Sequence, residues 1–447
     1  MSGPAGRQWL RRGAALAFAL LVAACANAAS IPEVTSTAEP VSGAPSAPSA
    51  PRDAPVVAAP SLKPGLPSST AAMSLIPPLT SAQLAPIQPV PAPTGPVPSP
   101  VPDLLPGMPE LHDARNVYSD AGANMLNDVT RAAKPLVYVP HTKSGDVWVI
   151  DPATFEVVGR YPVGIEVQHV VPAWDMKTLY ATDDLGNTLT PFDPRTGKPG
   201  RQISVDDPYN MYFSPDGSAA IVVAEGRRKL RWYDPRTWKV QAETATPSCA
   251  GIDHADFSPN GRVVVFSCEF DGRVAVVDVA SRKLLRVIDM PHRNHHMGPQ
   301  DVKLAPDGSA YYVADSDQNG LWVIDGAATK VIRQIPTGTG AHGLYLDRAA
   351  KRLFVTNRRE GSVSVLDPFT GQELTKWRVP GASFDMGGLT ADGKQLWLSG
   401  RYDGHVYVLD TDDGHLIRKI PVGRGPHGLC VWPQTGRYSL GHTGITR

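Results

Sequence analysis

Twelve histidines are spread along the 447 residues, and four of them, His169, His254, His342 and His427, stand at the same place in different repeats of the chain. Imidazole titrates near neutral pH, so such a set can ligate a metal through its lone pairs or work as a general acid or base. Asn210, Asp301 and Asp385 fill the equivalent places of the other repeats, which makes the whole set polar. His141, Arg358 and Arg401 lie in turns expected on the same face, and guanidinium groups are suited to carboxylate or other anionic ligands. A second group sits in the longest connection, Met290-Pro291-His292-Arg293-Asn294-His295-His296-Met297. There His292, His295, His296 and Met297 offer imidazole for copper or zinc and thioether for Cu(I), although no fixed metal-site spacing is matched. A plainer role competes with both. Gly340-Ala341-His342-Gly343 and Gly425-Pro426-His427-Gly428 could use imidazole only to hold neighbouring backbone carbonyls, but that would not explain arginines on the same face.

The cysteines are Cys25, Cys249, Cys268 and Cys430. Arg7, Arg11 and Arg12 precede an uncharged apolar run from Ala14 to Ala24, too short to span a bilayer comfortably, so residues 1–25 read as an export signal. Val22-Ala23-Ala24-Cys25 resembles a bacterial lipobox, which implies lipidation of Cys25 and a membrane anchor; plain cleavage after Ala26-Asn27-Ala28 is the alternative. In an oxidising compartment Cys249 and Cys268, placed on neighbouring antiparallel strands, are expected to pair, with thiolate ligation beside His254 as the alternative. Cys430 reads as buried. Lys+Arg and Asp+Glu are both 43, so the basic field needed for non-specific nucleic-acid binding is missing. Cys-x-x-Cys-His, Gly-x-Ser-x-Gly and phosphate-binding glycine loops are also absent from the sequence, which argues against an autonomous haem-c redox enzyme or a serine hydrolase.

What must position these side chains is a repeat. Apolar strands ending in aspartate recur at Asp151, Asp193, Asp234, Asp278, Asp325, Asp367 and Asp410, at intervals of 42, 41, 44, 47, 42 and 43 residues. That is the length of a four-stranded propeller blade, repeated seven times. Turns such as Ser214-Pro215-Asp216-Gly217 and Ala305-Pro306-Asp307-Gly308 keep phase with it, proline fixing one φ and glycine accepting a positive one. The expected fold is all-β, a seven-bladed β-propeller over 135–447. Its first unit lacks an innermost strand that the C-terminal strand should supply. Residues 26–110, rich in Pro, Ala and Ser, are expected to form a disordered spacer, and 111–134 a transition segment with a short helix.

Phe354-Val355-Thr356-Asn357 with Gly361-Ser362-Val363-Ser364-Val365-Leu366-Asp367 resembles the YVTN family of propeller repeats, which includes YncE-like proteins, over roughly 135–435. The resemblance implies the fold and is nearly silent on chemistry, since related propellers serve as binding modules, lactonases, quinoprotein subunits and haem-carrying parts of nitrite reductases. The favoured expectation is a non-catalytic, monomeric protein exported to the periplasm or cell surface. It would hold copper, zinc, a non-covalent tetrapyrrole or an anionic ligand at His169, His254, His342 and His427, for itself or for an envelope partner. Two other readings stand beside it: a lactonase- or lyase-type enzyme with a divalent cation on Asp301 and Asp385, and a pure protein-interaction scaffold.

Overall fold

The computed structural model of the chain describes residue 101, residues 103–293 and residues 297–447. Cys25 and most of the proline-rich stretch lie outside these residues, as do His295 and His296. Seven antiparallel sheets succeed one another along the described residues, six of four strands and one of five. The chain is therefore a seven-bladed all-β propeller. Each blade starts with a buried innermost strand: β4 (Val167–Pro172), β9 (Asn210–Phe213), β13 (Ile252–Phe257), β17 (Pro299–Leu304), β21 (Ala341–Leu346) and β25 (Phe384–Leu389) for blades two to seven.

The first blade is completed across the chain ends. Its strands β1 (Leu136–Pro140), β2 (Asp146–Asp151) and β3 (Glu156–Pro162) take β29 (Cys430–Trp432) as the innermost member, with Val137 opposite Val431 and Leu136 opposite Trp432. Closing the ring this way leaves no inner edge unpaired.

The recurrent aspartates now have a local reason. Asp151, Asp193, Asp234 and Asp367 each accept the backbone N–H two residues on, at 2.8–2.9 Å, which turns the chain from the third strand into the outermost one. In the Pro-Asp-Gly turns Asp216 and Asp307 do the same for Ser218 and Ser309, and Gly217 and Gly308 adopt φ of 69° and 71°.

Two segments outside the blades cover the face opposite the turns that carry the candidate residues. Asp103 to Lys134 forms a strap whose Leu105 and Met108 are buried against Trp232 and Phe257, so packing begins within the stretch expected as spacer. Its α-helical turn, α1 (Asp128–Arg131), is capped by Asn127, which accepts from the Thr130 N–H at 2.9 Å. After β29 the chain enters the axis from below. Ser439 donates its N–H to the Trp174 carbonyl, Leu440 accepts from the Phe213 N–H, and Arg447 pairs with buried Asp256 at 2.8 Å.

Candidate functional site

The innermost strands are not regular. The pairing register slips between Val167 and Val170, Ile252 and Ala255, Pro299 and Val302, Ala341 and Leu344, and Phe384 and Gly387. The residues inside these irregularities include His169, His254, Asp301, His342 and Asp385. A bulge releases backbone groups from the ladder and re-aims a side chain, and the second strands supply hydroxyls for the groups released. Thr182 accepts the His169 N–H at 3.0 Å, Ser267 that of His254 at 3.0 Å, Thr356 that of Gly343 at 2.7 Å and Ser399 that of Met386 at 3.2 Å. Each hydroxyl also donates to a carbonyl of an innermost strand or its approach, those of Tyr209, His254, Asp385 and Met386 respectively. The bulges thus point one polar side chain from each of five blades at the axis.

The four repeat histidines meet there. The His169 ring lies 4.8 Å from that of His427 and 5.3 Å from that of His254, while His342 is 6.2 Å from each of His254 and His427. A fifth imidazole arrives from the C-terminal tail. His442 is 4.4 Å from His169 and stacks on His254 at 4.6 Å. All five rings are buried. One ring nitrogen from each of His169, His254 and His442 falls within 4.8 Å of the others.

Protonation follows from the surroundings. His169 donates from Nδ1 to the Tyr209 carbonyl at 2.9 Å, leaving the Nε2 lone pair inward with no hydrogen-bond partner. His427 uses Nδ1 on Asp385 at 2.7 Å and likewise has a free Nε2. Neither nitrogen of His442 has a partner. Burial, and then the neighbouring imidazoles and arginines, hold His169, His342, His427 and His442 well below the ordinary histidine range, so these rings are neutral. Burial also pulls on His254, but the Asp253 carboxylate 3.0 Å from its Nε2 outweighs it and raises this ring.

The surrounding charge is lopsided. Toward blades six and seven, Asp385 gathers Arg358 at 3.1 Å, His342 at 3.4 Å and Arg401 at 3.9 Å. Burial pushes its carboxyl up, yet Arg358, His342 and Arg401 bring it below the usual value. Toward blades two to four the groups are acidic. Burial and then Asp207 push Asp184 up to about 8, while burial and then Asp253 push Glu225 up to about 9 and Glu269 up to about 7.

Several expected residues have other engagements. His141 lies in the turn after β1, pairs with Asp146 at 2.9 Å and packs edge-on against Trp148. Arg358 and Arg401 face Asp385, and Arg358 also reaches Tyr402 and Gln300. Asp301 accepts the Val302 and Leu344 N–H groups at 2.9 Å each, tying blade five to blade six. His292 is exposed and leans on Trp322 at 6.1 Å, away from the axis. Cys249 and Cys268 are joined by a disulfide with Cα atoms 4.9 Å apart, and Cys430 is a buried free thiol. Asp253 and the four bulge hydroxyls had no signal in the repeat pattern beyond their adjacency to the histidines.

Fold and axis together define a class: seven-bladed propellers whose bulged inner strands carry polar side chains into a central channel. Residues 312–437 match the family described as YNCE-like beta-propeller, and 187–374 the lactonase family of seven-bladed beta-propellers. Over these stretches the chain is similar to YncE-like and lactonase-type seven-bladed β-propellers. It is 21% identical to the uncharacterized protein YncE of Salmonella typhi over 277 residues, 58% of this chain and 75% of that protein. It is 26% identical to protein NirF of Pseudomonas aeruginosa over 180 residues, 38% of this chain and 44% of NirF. The solved structure of dihydro-heme d1 dehydrogenase NirN in complex with DHE is similar in fold, with a TM-score of 0.51 at 16% identity over 67% of this chain and 75% of that one.

Proposed function

We propose that the protein is an exported, membrane-tethered binding protein that holds one copper or zinc ion in the axial histidine cluster, with His169, His254 and His442 as ligands and His427 beside them. The observation that carries this reading is that the Nε2 of His169 and both ring nitrogens of His442 are buried, neutral and unpartnered within reach of His254, whose own Nε2 lies 3.0 Å from Asp253. A buried acceptor left unpaired costs roughly 1–3 kcal/mol, and several around one point are stabilised together by a late transition ion, which imidazole suits. The Asp385 to His427 hydrogen bond is the kind of carboxylate contact that fixes the tautomer and orientation of a ligating ring.

Rings only 4.4–6.2 Å apart leave room for an ion between them and none for a macrocycle, so a tetrapyrrole would have to rest outside the cluster. An enzyme with its cation on Asp301 and Asp385 draws less support, because backbone N–H groups occupy the first and Arg358 and His427 the second. Export and the tether rest on residues 1–25 and the proline-rich stretch, and an envelope partner would be the natural recipient or donor of the ion.

The test is metal titration of the full folded chain with Zn(II) and Cu(I) against competing chelators. One equivalent should bind, and His169→Ala with His442→Ala should weaken it at least ~100-fold, since losing even an outer-shell partner of a ligand costs about 10–100-fold. Unchanged binding in a double variant with native circular dichroism would overturn the reading.

A further inference from the structure

Asp253 precedes His254 on β13 and is fully buried, and neither of its carboxylate oxygens has a hydrogen-bond partner among the described residues. Its Oδ1 lies 3.0 Å from His254 Nε2. The other side of that ring is already committed. Asn210 Oδ1 accepts the Met211 N–H at 2.8 Å, which turns the amide nitrogen of the same side chain toward His254 Nδ1 at 3.1 Å. An amide nitrogen only donates, so Nδ1 is the acceptor there and Nε2 is the nitrogen left for an ion. Two other carboxylates at the axis have cationic partners. Asp385 has Arg358 at 3.1 Å and Arg401 at 3.9 Å. Asp301 accepts two backbone N–H groups, and while burial pushes its carboxyl up, the charge of Lys303 opposes that. For Asp253 the corresponding contact is the His254 ring itself.

The position of this carboxylate bears on which ion the histidine cluster takes, and so rests on the metal site proposed above. A ligating imidazole nitrogen stands about 2.0–2.1 Å from its metal. An ion on His254 Nε2 therefore comes within about 5 Å of Asp253 Oδ1, whatever its direction from the ring. His169, His254 and His442 offer neutral nitrogens, so three imidazoles alone would leave the whole charge of the ion in a buried space. Buried charge is kept only when it is paired. We propose that Asp253 is the specificity-determining residue of the axial site, and that its carboxylate, held beside the ligating ring of His254, selects Zn(II) over Cu(I). Coulombic attraction scales with the charge of the ion, so the carboxylate stabilises a divalent ion about twice as strongly as a monovalent one in the same place. Its hard oxygen acts in the same direction, since soft Cu(I) favours sulfur ligands.

The experiment compares the buffered Zn(II) and Cu(I) affinities of the full chain with those of Asp253→Asn. Loss of the carboxylate should weaken Zn(II) at least ~10-fold, the lower end for a group beside a ligating histidine, and Cu(I) only ~3-fold, because half the attraction is the square root of the factor. Asp253→Glu keeps the charge and should restore most of the preference for Zn(II). Equal weakening of both ions, or an unchanged zinc affinity in folded Asp253→Asn protein, refutes the selection while the histidine site still stands. A wild type that binds neither ion removes the site, and the selection with it. Should Asp253→Asn fail to fold, Asp253→Ser supplies the same comparison. If neither folds, the wild type decides: zinc-loaded protein should keep its zinc at an equal buffered concentration of free Cu(I), and full exchange overturns the proposal.

Discussion

Asp385 is the clearest place to perturb the axis, because one carboxylate there answers four cationic or proton-donating neighbours. It is fully buried, with His427 Nδ1 at 2.7 Å, Arg358 Nε at 3.1 Å, His342 Nδ1 at 3.4 Å and Arg401 at 3.9 Å. Asp385→Asn keeps the volume and removes the charge. Arg358 is then left 8% exposed with only neutral partners, Tyr402 Oη at 3.2 Å and Gln300 Oε1 at 3.4 Å. Removing one partner of a buried pair costs about 3–5 kcal/mol, which for a domain of this size lowers Tm by on the order of 5–15 °C. The companion variant Arg358→Met with Asp385→Asn removes the stranded charge and should regain part of the loss. Calorimetry across pH supplies a further check. The folded carboxyl lies below its ordinary value, so its contribution is complete above that value and disappears as pH falls through the folded one; the gap between wild type and Asp385→Asn should hold from about pH 5 to 8 and close below about pH 4. An Asp385→Asn protein within ~1 kcal/mol of wild type, a typical surface-to-average mutational effect, would refute this account of the axis. So would a double variant no more stable than the single one.

Ending the chain after Gly423 removes β29 and leaves β1 as an exposed inner edge, so the truncated protein should lose cooperative unfolding and aggregate; a soluble truncated monomer with a native spectrum would refute ring closure by that strand. In metal-free protein, Glu225 and Asp184, held up to about 9 and about 8, contribute stability at low pH that is lost as pH rises toward those values. The neutral axial histidines act in the opposite sense, losing stability as pH falls below about 6.5. Denaturant midpoints should therefore peak near about pH 6–6.5, and Glu225→Gln should flatten the alkaline limb and steepen the acid limb down to about pH 4.5; a wild-type midpoint still climbing to pH ~8 would contradict the burial of these acids.

The architecture was legible because the repeat writes the same local chemistry seven times. Asp193 and Asp367 signal their turns by residue type, and the missing inner strand of the first unit could be inferred from counting. The four histidines were legible for the same reason, since equivalent positions in a closed ring must converge. What the repeat could not show is whatever breaks the symmetry. His442 lies in no repeat, and only the path of the tail beneath the blades brings it to 4.4 Å from His169. Arg358 and Arg401 read as free anion contacts because pairing with Asp385 depends on the bulge at Phe384 to Gly387, and nothing in the residue order announces a one-residue slip. Packing of Leu105 and Met108 was hidden for the converse reason, since two apolar residues within a proline-rich stretch have no period to read.

The same C-terminal segment closes the ring and furnishes the site. His427 enters just before β29, His442 follows it, and Arg447 is held in the floor by Asp256 and beneath the Tyr118 ring. Bringing two imidazoles to the axis and pairing β29 with β1 are therefore parts of one folding event. An ion shared by His169, His254 and His442 would bind blades two and four to the tail, adding its affinity to the closure of a ring that hydrogen bonds alone hold at three residue pairs. The acids of blades two to four and the guanidiniums of blades six and seven then have a directional consequence. A cation entering that side would bind Glu225, Asp184 and Glu269 only by displacing the protons that burial holds on them, and on the opposite wall it would be repelled by Arg358 and Arg401.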